Sequence, residues 1–246
     1  MENLTTGDRI LSVDIGGSNI KATLLNQDGQ LMMDYKKIET PVPATPEKVI
    51  NGIMSLAKNF ENYNKVSVGF PGYVKEGIIH TAPNLDTNLW SQVNLREQLT
   101  SALNKPVVVV NDADMLGMGV VSGKGFEVVI TLGTGFGTAF VNNGILLPHL
   151  ELAHHPVSKD QTYDEYVGEK ALDNKGLEKW NERMRKVLAI LKTVFNYDCL
   201  YIGGGNAKKL TIILDANMRI FSNKDGIKGG VRLWQMDKLQ HEPVAG

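Results

Sequence analysis

The chain has 246 residues, of which 26 are basic and 27 acidic, giving a formal net charge of −1; 42% of its side chains are hydrophobic and 22% charged. That balance excludes a disordered or fibrous chain, and near-neutrality argues against a dedicated nucleic-acid binder. A single cysteine, Cys199, excludes an internal disulfide and a multi-cysteine zinc site, and no run of about 20 apolar residues is present to span a membrane.

Residues 1–8 are polar and carry no signal-peptide hydrophobic stretch, so a cytoplasmic protein is expected. Residues 9–13 and 20–25 are apolar runs separated by Asp14-Ile15-Gly16-Gly17-Ser18, and residues 30–38 return as a third strand, which predicts an antiparallel meander. A helix follows over 45–60, with Pro46 and Glu47 in its first turn. Residues 66–70 and 107–110 are β-branched runs suited to buried strands, with a helix over 95–103 between them. The pattern then repeats. Residues 128–132 and 138–141 flank Gly133-Thr134-Gly135-Phe136-Gly137, and 144–147 follow an Asn142-Asn143 turn. The two strand–glycine turn–strand units lie roughly 119 positions apart, which points to a duplicated architecture of two packed lobes. Leu177, Trp180, Met184, Val187, Leu188, Leu191, Val194 and Phe195 form one helical stripe. Residues 199–202 read as a strand, and Gly203-Gly204-Gly205 is expected to open the next helix.

Consecutive glycines let backbone N–H groups turn toward an anion without β-carbon clashes. Asp14 beside Gly16 and Gly17 would repel a phosphate unless a cation such as Mg²⁺ lay between them. Residues 133–138 make a second such nest, and the third glycine cluster precedes an expected helix N-terminus, where phosphates bind. Neither the spaced dinucleotide fingerprint nor the Walker sequence is present. Asn111-Asp112-Ala113-Asp114 ends a hydrophobic strand, so a carboxylate there is set to face a cleft. One of the two aspartates is expected to cap the following helix, worth about 1 kcal/mol, while the other accepts a hydroxyl proton. Glu151 with His154 and His155 makes an incomplete metal set but a good pair of hydrogen-bonding groups for a polyol. Residues 163–232 hold 13 Lys/Arg against 9 Asp/Glu, either a solvated surface or a groove for a polyanion.

Together these motifs resemble the ROK family of repressors and sugar kinases, nearly end to end and closest to its polyphosphate/ATP glucokinase branch. The resemblance rests on residues 14–21, 69–77, 81–85, 111–114, 132–137, 151–154 and 203–209. It implies an α/β, two-lobed actin-like (ribonuclease H-like) ATPase fold with an interlobe cleft, here with lobes at 1–112 and 113–246 and the last helix packed back on the first. It implies phosphoryl transfer from polyphosphate or ATP to the 6-hydroxyl of glucose or a close hexose. An N-acetylhexosamine kinase of the same fold and a non-catalytic sugar sensor are the alternatives.

By the same resemblance Asp112 is the general base, and Asn84, Asn111, Asp112, Glu151 and His154 bind the sugar. A further acidic sugar ligand precedes a short helix in the family; Asp164 is the match, with Glu165 beside it and a shorter side chain than the family's glutamate. Gly16, Gly17, Ser18, Gly133, Thr134, Gly135 and Gly137 would cradle phosphates. Gly203, Gly204, Gly205 and Lys208 would meet the donor's distal end, and Asp14 would hold Mg²⁺ through water. Lys170, Lys175, Lys179, Arg183, Arg185, Lys186 and Lys209 are candidates for a polyphosphate groove. No zinc, nucleic acid or membrane is expected, and a homodimer is. One departure stands out: Ala153 replaces the family's glycine before His154, which would strain the chain if that position needed a positive φ.

Overall fold

In the computed structural model the apolar run after the N-terminus becomes β1 (Arg9–Ile15), the centre of a five-stranded sheet. Residues 7–222 and 224–235 are described; of the polar start, residues 1–6 lie outside them. β1 pairs antiparallel with β2 (Asn19–Asn26), which pairs antiparallel with β3 (Lys36–Glu39). The meander is as expected, but its third strand is shorter than residues 30–38. The Thr23 hydroxyl donates to the Met33 carbonyl and a lone bridge joins Leu25 to Leu31, so the chain crosses from β2 to β3 without a ladder.

Helix α1 (Pro46–Ala57) starts where Thr45 accepts from the Lys48 N–H and buries Val49, Ile53, Leu56 and Ala57. All six residues of β4 (Lys65–Phe70) are buried, as a parallel strand with both faces covered requires. The short β5 (Val74–Lys75) and β6 (Ile78–Ile79) form a separate hairpin, followed by α2 (Thr87–Trp90) and α3 (Leu95–Leu103). Buried Trp90 donates its indole N–H to the Ala44 carbonyl at 2.8 Å, which meets the polar requirement of a large apolar side chain. β7 (Val107–Asn111) closes the sheet in the order β3-β2-β1-β4-β7, and α4 (Asp112–Val120) leaves it.

The second sheet repeats the first. β8 (Phe126–Leu132), β9 (Phe136–Asn142) and β10 (Ile145–Leu146) form the antiparallel meander. A two-stranded piece, β11 (Pro156–Ser158) and β12 (Gln161–Thr162), leads into α5 (Tyr163–Val167) and α6 (Glu169–Phe195). β13 (Cys199–Gly203) and β14 (Met218–Ile220) then add in parallel, giving the order β10-β9-β8-β13-β14. Order and strand sense match position for position, so the duplication is architectural.

Helix α6 is broken at Gly176 (φ +78°), and the expected stripe begins just after the break. Trp180, Met184, Val187, Leu188 and Leu191 are buried, while Leu177 and Val194 are exposed. No α-helix follows Gly203-Gly204-Gly205; a three-residue 3₁₀ turn, Ala207–Lys209, takes its place. Asn181 of α6 holds the chain there. Its amide donates to the Lys209 carbonyl at 3.1 Å and accepts from the Thr211 N–H at 2.7 Å.

The chain divides into two units, one holding residues up to Gly119 and from Ile227 on, the other Val120–Gly226. The division falls at the end of α4, between Gly119 and Val120, rather than at residue 112, because α4 lies against β4: a β-carbon on Gly69 would sit 3.2 Å from the Asp112 Cα and 2.8 Å from the Met115 side chain. The closing helix α7 (Gly229–Arg232) packs in the first unit. Fully buried Ser67 of β4 is the anchor, donating to the Gly230 carbonyl and accepting from the Trp234 indole at 2.9 Å. Among the described residues no helix is long and apolar enough to cross a membrane.

Candidate active site

In the first unit the β1–β2 hairpin is closed by the Ile15–Ile20 pair and by the Gly16 N–H donating to the Asn19 carbonyl at 2.9 Å. Buried Thr40, just beyond β3, holds it from one side. Its hydroxyl donates to the Gly16 carbonyl at 2.6 Å and its N–H to the Ser18 carbonyl at 3.0 Å. Gly17 and Ser18 are exposed, and their N–H groups donate to none of the described residues. Asn84 lies against this turn: a β-carbon on Gly17 would be 3.6 Å from the Asn84 Cβ.

Asp14 stands at the end of β1 opposite Lys21. Burial pushes its carboxyl above the ordinary value, and the Lys21 charge offsets this only in part. The phenol of Tyr35 is pushed up by its own burial and by the neighbouring Asp14 charge. A carboxylate short of positive charge, beside a turn with two outward N–H groups, suits a hydrated Mg²⁺ set between carboxylate and phosphate. Among the described residues no group of three His, Cys, Asp or Glu side chains is placed to hold a metal ion.

The cap of α4 is Asn111, not either aspartate. Its carbonyl oxygen accepts from the Ala113 N–H at 2.8 Å and the Asp114 N–H at 3.3 Å, and its amide donates to the Gly72 carbonyl at 3.0 Å. Asn111 is buried and Asp114 is buried, whereas Asp112 is exposed at the first turn, with Oδ1 accepting from the Ala113 N–H at 2.8 Å. The capping thus falls to Asn111 and leaves Asp112 facing outward.

In the second unit the β8–β9 hairpin is held at several points. Glu169, the first residue of α6, donates its N–H to the Gly133 carbonyl at 3.0 Å, and the Asn206 amide reaches the same carbonyl at 3.4 Å. Asp164 accepts from the Phe136 N–H at 2.6 Å. Thr134 and Gly135 have N–H groups that donate to none of the described residues, and the Gly137 backbone belongs to the β8–β9 ladder.

Glu151 lies between two histidines, with His154 Nε2 at 3.4 Å and His149 Nε2 at 3.9 Å. His154 is half exposed and His149 is buried. Ala153 sits in a 3₁₀ turn, Leu152–His154, and is not among the residues of positive φ, so alanine fits without strain. Glu165 is occupied at the start of α5, where it and Thr162 form a reciprocal cap.

The third glycine cluster is chiefly a packing device. A β-carbon on Gly203 would strike the Phe221 ring at 2.1 Å, and Gly204 (φ +85°) would meet the Leu132 carbonyl at 2.4 Å. Only Gly205 faces open space, and Lys208 is exposed on the 3₁₀ turn. The helix-end phosphate site expected there does not form, since no α-helix follows. Of the cations suggested for a polyanion groove, Lys179, Arg183, Arg185 and Lys186 line a cavity of about 450 Å³ with Tyr166 and Glu182. Arg183 stacks on Tyr166 at 4.4 Å and Lys179 pairs with Glu182; Lys170, Lys175, Lys208 and Lys209 do not line it.

Thr40, His149, Glu169 and Asn206 escaped the sequence reading. Only His149, a third histidine beside Glu151, carried a visible signal.

The family model described as ROK family matches residues 10–151. The polyphosphate glucokinase of Mycobacterium tuberculosis is 32% identical over 214 residues, covering 83% of this chain and 80% of that protein. The glucokinase of Streptomyces coelicolor is 33% identical over 141 residues, 53% of this chain and 43% of that one. Among solved structures, the inorganic polyphosphate/ATP-glucomannokinase of Arthrobacter sp. strain KM superposes with a TM-score of 0.81 at 28% identity, over 95% of this chain and all of that one. A glucokinase from Streptomyces griseus, solved with glucose and AMPPNP, superposes at 0.73 with 20% identity, over 92% of this chain and 98% of that one, and speaks for the fold alone. The duplicated sheets are therefore the α/β, actin-like (ribonuclease H-like) fold expected from the sequence.

Proposed function

From the premise that this chain belongs to the ROK family, we propose that it is a sugar kinase that transfers a phosphoryl group from polyphosphate or ATP to the 6-hydroxyl of glucose or a close hexose. The observation that carries this reading is the pair of hairpins, each presenting two consecutive N–H groups that donate to no described residue: Gly17 and Ser18, and Thr134 and Gly135. Such nests bind phosphate oxygens, and two of them suit a chain of phosphates better than one carboxylate ligand. Identity to polyphosphate glucokinase over most of both chains supports the donor class.

In this reading the sugar and the donor are bound together for direct transfer. Asp112, exposed at the start of α4, accepts the 6-hydroxyl proton as that oxygen attacks the terminal phosphorus. Asn84, Asn111, Glu151 and His154 hold the other hydroxyls, with the Glu151–His154 pair offering an acceptor beside a donor. The outward N–H groups of both hairpins stabilise charge on the transferring phosphoryl and orient it for in-line attack. Asp14 would hold Mg²⁺ through water, and the bound ion would neutralise phosphate charge. We further propose a cytoplasmic homodimer that needs no zinc.

The test is formation of sugar 6-phosphate from glucose with Mg²⁺, comparing ATP with polyphosphate, in the native protein and in Asp112→Asn. Loss of a general base lowers turnover by about 10²–10⁴-fold, with the glucose dissociation constant changed less than threefold. Turnover that survives in the variant overturns the role of Asp112. Glucose binding without turnover on either donor makes the protein a sensor.

A further inference from the structure

The acidic residue at the start of α5 does not have the surroundings of a sugar ligand. Asp164 Oδ1 accepts the Phe136 N–H at 2.6 Å, and a β-carbon on Gly135 would be 2.8 Å from the same oxygen. The carboxylate thus reaches under the β8–β9 hairpin, at the residue after the outward N–H groups of Thr134 and Gly135. Its backbone is tied to the same place. The Asp164 carbonyl accepts from the Gly168 N–H at 2.9 Å, and a β-carbon on Gly168 would strike both that carbonyl (2.5 Å) and the Thr134 carbonyl (2.9 Å). Next along the chain, the Glu169 N–H donates to Gly133 and Thr134 carbonyls at 3.0 and 3.4 Å. Hairpin carbonyls are therefore engaged from the α5–α6 junction, and one N–H is engaged by Asp164. The two N–H groups at the tip are left for something else.

The side chain is one that can do this. Asp164 is presented by a short helix fixed by the Thr162–Glu165 cap, so its position is set before any ligand arrives. An aspartate stem reaches Phe136 from there, and Gly135 is a glycine because the carboxylate occupies the space beside it. A carboxylate accepting a backbone N–H is a strong, directional bond.

We infer that Asp164 is a positioning residue for the phosphoryl donor, holding the second phosphate hairpin in its binding shape through the Phe136 N–H, and is not a sugar ligand. The inference rests on the kinase reading given above. It separates two substrates that a sugar-ligand role would join in the opposite way: changes at Asp164 act on the donor and leave glucose alone.

Two variants test it. Asp164→Ala removes the acceptor and raises the donor KM at least fivefold, for ATP and polyphosphate alike, with the glucose KM within twofold. Asp164→Asn keeps a carbonyl oxygen for Phe136 and restores a donor KM within twofold of the native value. A rise in the glucose KM in Asp164→Asn, or unchanged KM values for both substrates in Asp164→Ala, overturns the inference. Amide hydrogen exchange at Phe136 needs no turnover, and it tests the clamp even if the Ala variant is weakly folded or the protein is not a kinase. Exchange at Phe136 accelerates at least tenfold in Asp164→Ala and stays near native in Asp164→Asn; equal protection in all three proteins overturns the clamp. Absence of native turnover, by contrast, removes the kinase reading and leaves the exchange result standing.

Discussion

Glu127 gives the clearest test of how the second unit is held together. It is fully buried in β8, and both of its oxygens are in use. Oε1 accepts from the Ser122 N–H at 2.7 Å and the Tyr201 hydroxyl at 2.9 Å, and Oε2 accepts from the Gly123 N–H at 2.7 Å. One carboxylate thus fixes the segment that carries the chain out of α4 and into β8, and ties it to β13. In Glu127→Gln the amide oxygen can replace Oε1, but the NH₂ group then faces the Gly123 N–H, donor against donor. A hydrogen bond to a charged group contributes about 1.5–3 kcal/mol, and the half-buried Gly123 donor left unmet costs up to about 1–3 more. The variant is therefore expected to lose about 3–5 kcal/mol, within the range for breaking one partner of a buried charged contact. For a chain of this size that lowers Tm by about 6–20 °C.

The same variant has a spectroscopic signature. Burial, then the bond to Glu127 and its charge, push the Tyr201 phenol up from 10.0 to about 12. Folded Tyr201 keeps its proton where the unfolded chain has released it, so its contribution to stability is full below pH 10.0 and is lost as pH rises through about 12. Without the carboxylate, Tyr201 titrates lower and that alkaline margin narrows. Tyr197 is an internal control, since its own rise to about 12 comes from burial, Asp215 and Cys199 rather than Glu127. Thermal unfolding and an ultraviolet absorbance titration of the tyrosines read both effects. A Tm loss below about 2 °C, under roughly 1 kcal/mol, or a Tyr201 titration unchanged from native, would refute the account.

Two further outcomes follow from the first unit. Thr40→Val removes the hydroxyl bond to the Gly16 carbonyl, worth about 1 kcal/mol, and raises the donor KM severalfold while Thr40→Ser stays near native; steady-state kinetics showing a change in glucose KM alone would count against it. Asp14 has its carboxyl raised by burial, so its protonated form favours the fold below 3.8 and that contribution is lost as pH rises through the raised value. Asp14→Asn should therefore melt higher than native at pH 7 and lose its Mg²⁺-dependent turnover, and a lower melting temperature at that pH would sink the electrostatic argument.

Periodicity carried the strands because each sheet is buried on at least one face. The apolar runs at β1, β4 and β8 have nowhere to go but the core, and alternate choices would expose Val66, Val68, Val128 and Ile130 together. Residues 30–35 misled for the complementary reason. Leu31, Met32 and Met33 look like strand residues, yet they are exposed, and local composition does not say whether a neighbour covers them. Where a helix was expected after Gly205, the distant Asn181 makes two bonds to the 209–211 segment, which no local window contains.

The site divides along the same line. The glycine-rich turns themselves were legible: Gly16, Gly17, Gly133 and Gly135 announce tight turns wherever they stand. Residues that act by supporting those turns were not. Thr40 lies more than twenty positions from Gly16 and Asp164 more than twenty from Phe136, and each meets its hairpin only because sheet register or a helix junction brings it there. Resemblance named Asp164 and gave it a sugar; the contact with Phe136 gives it a hairpin. The difference arises because a motif fixes where a carboxylate falls in the chain, whereas the reach of its stem, one methylene shorter than glutamate, decides which neighbour it meets. An aspartate at that position close beside Gly135 is thus better read as part of the phosphate loop than as a shortened sugar ligand, and the donor and glucose KM values of its Asn variant separate the two.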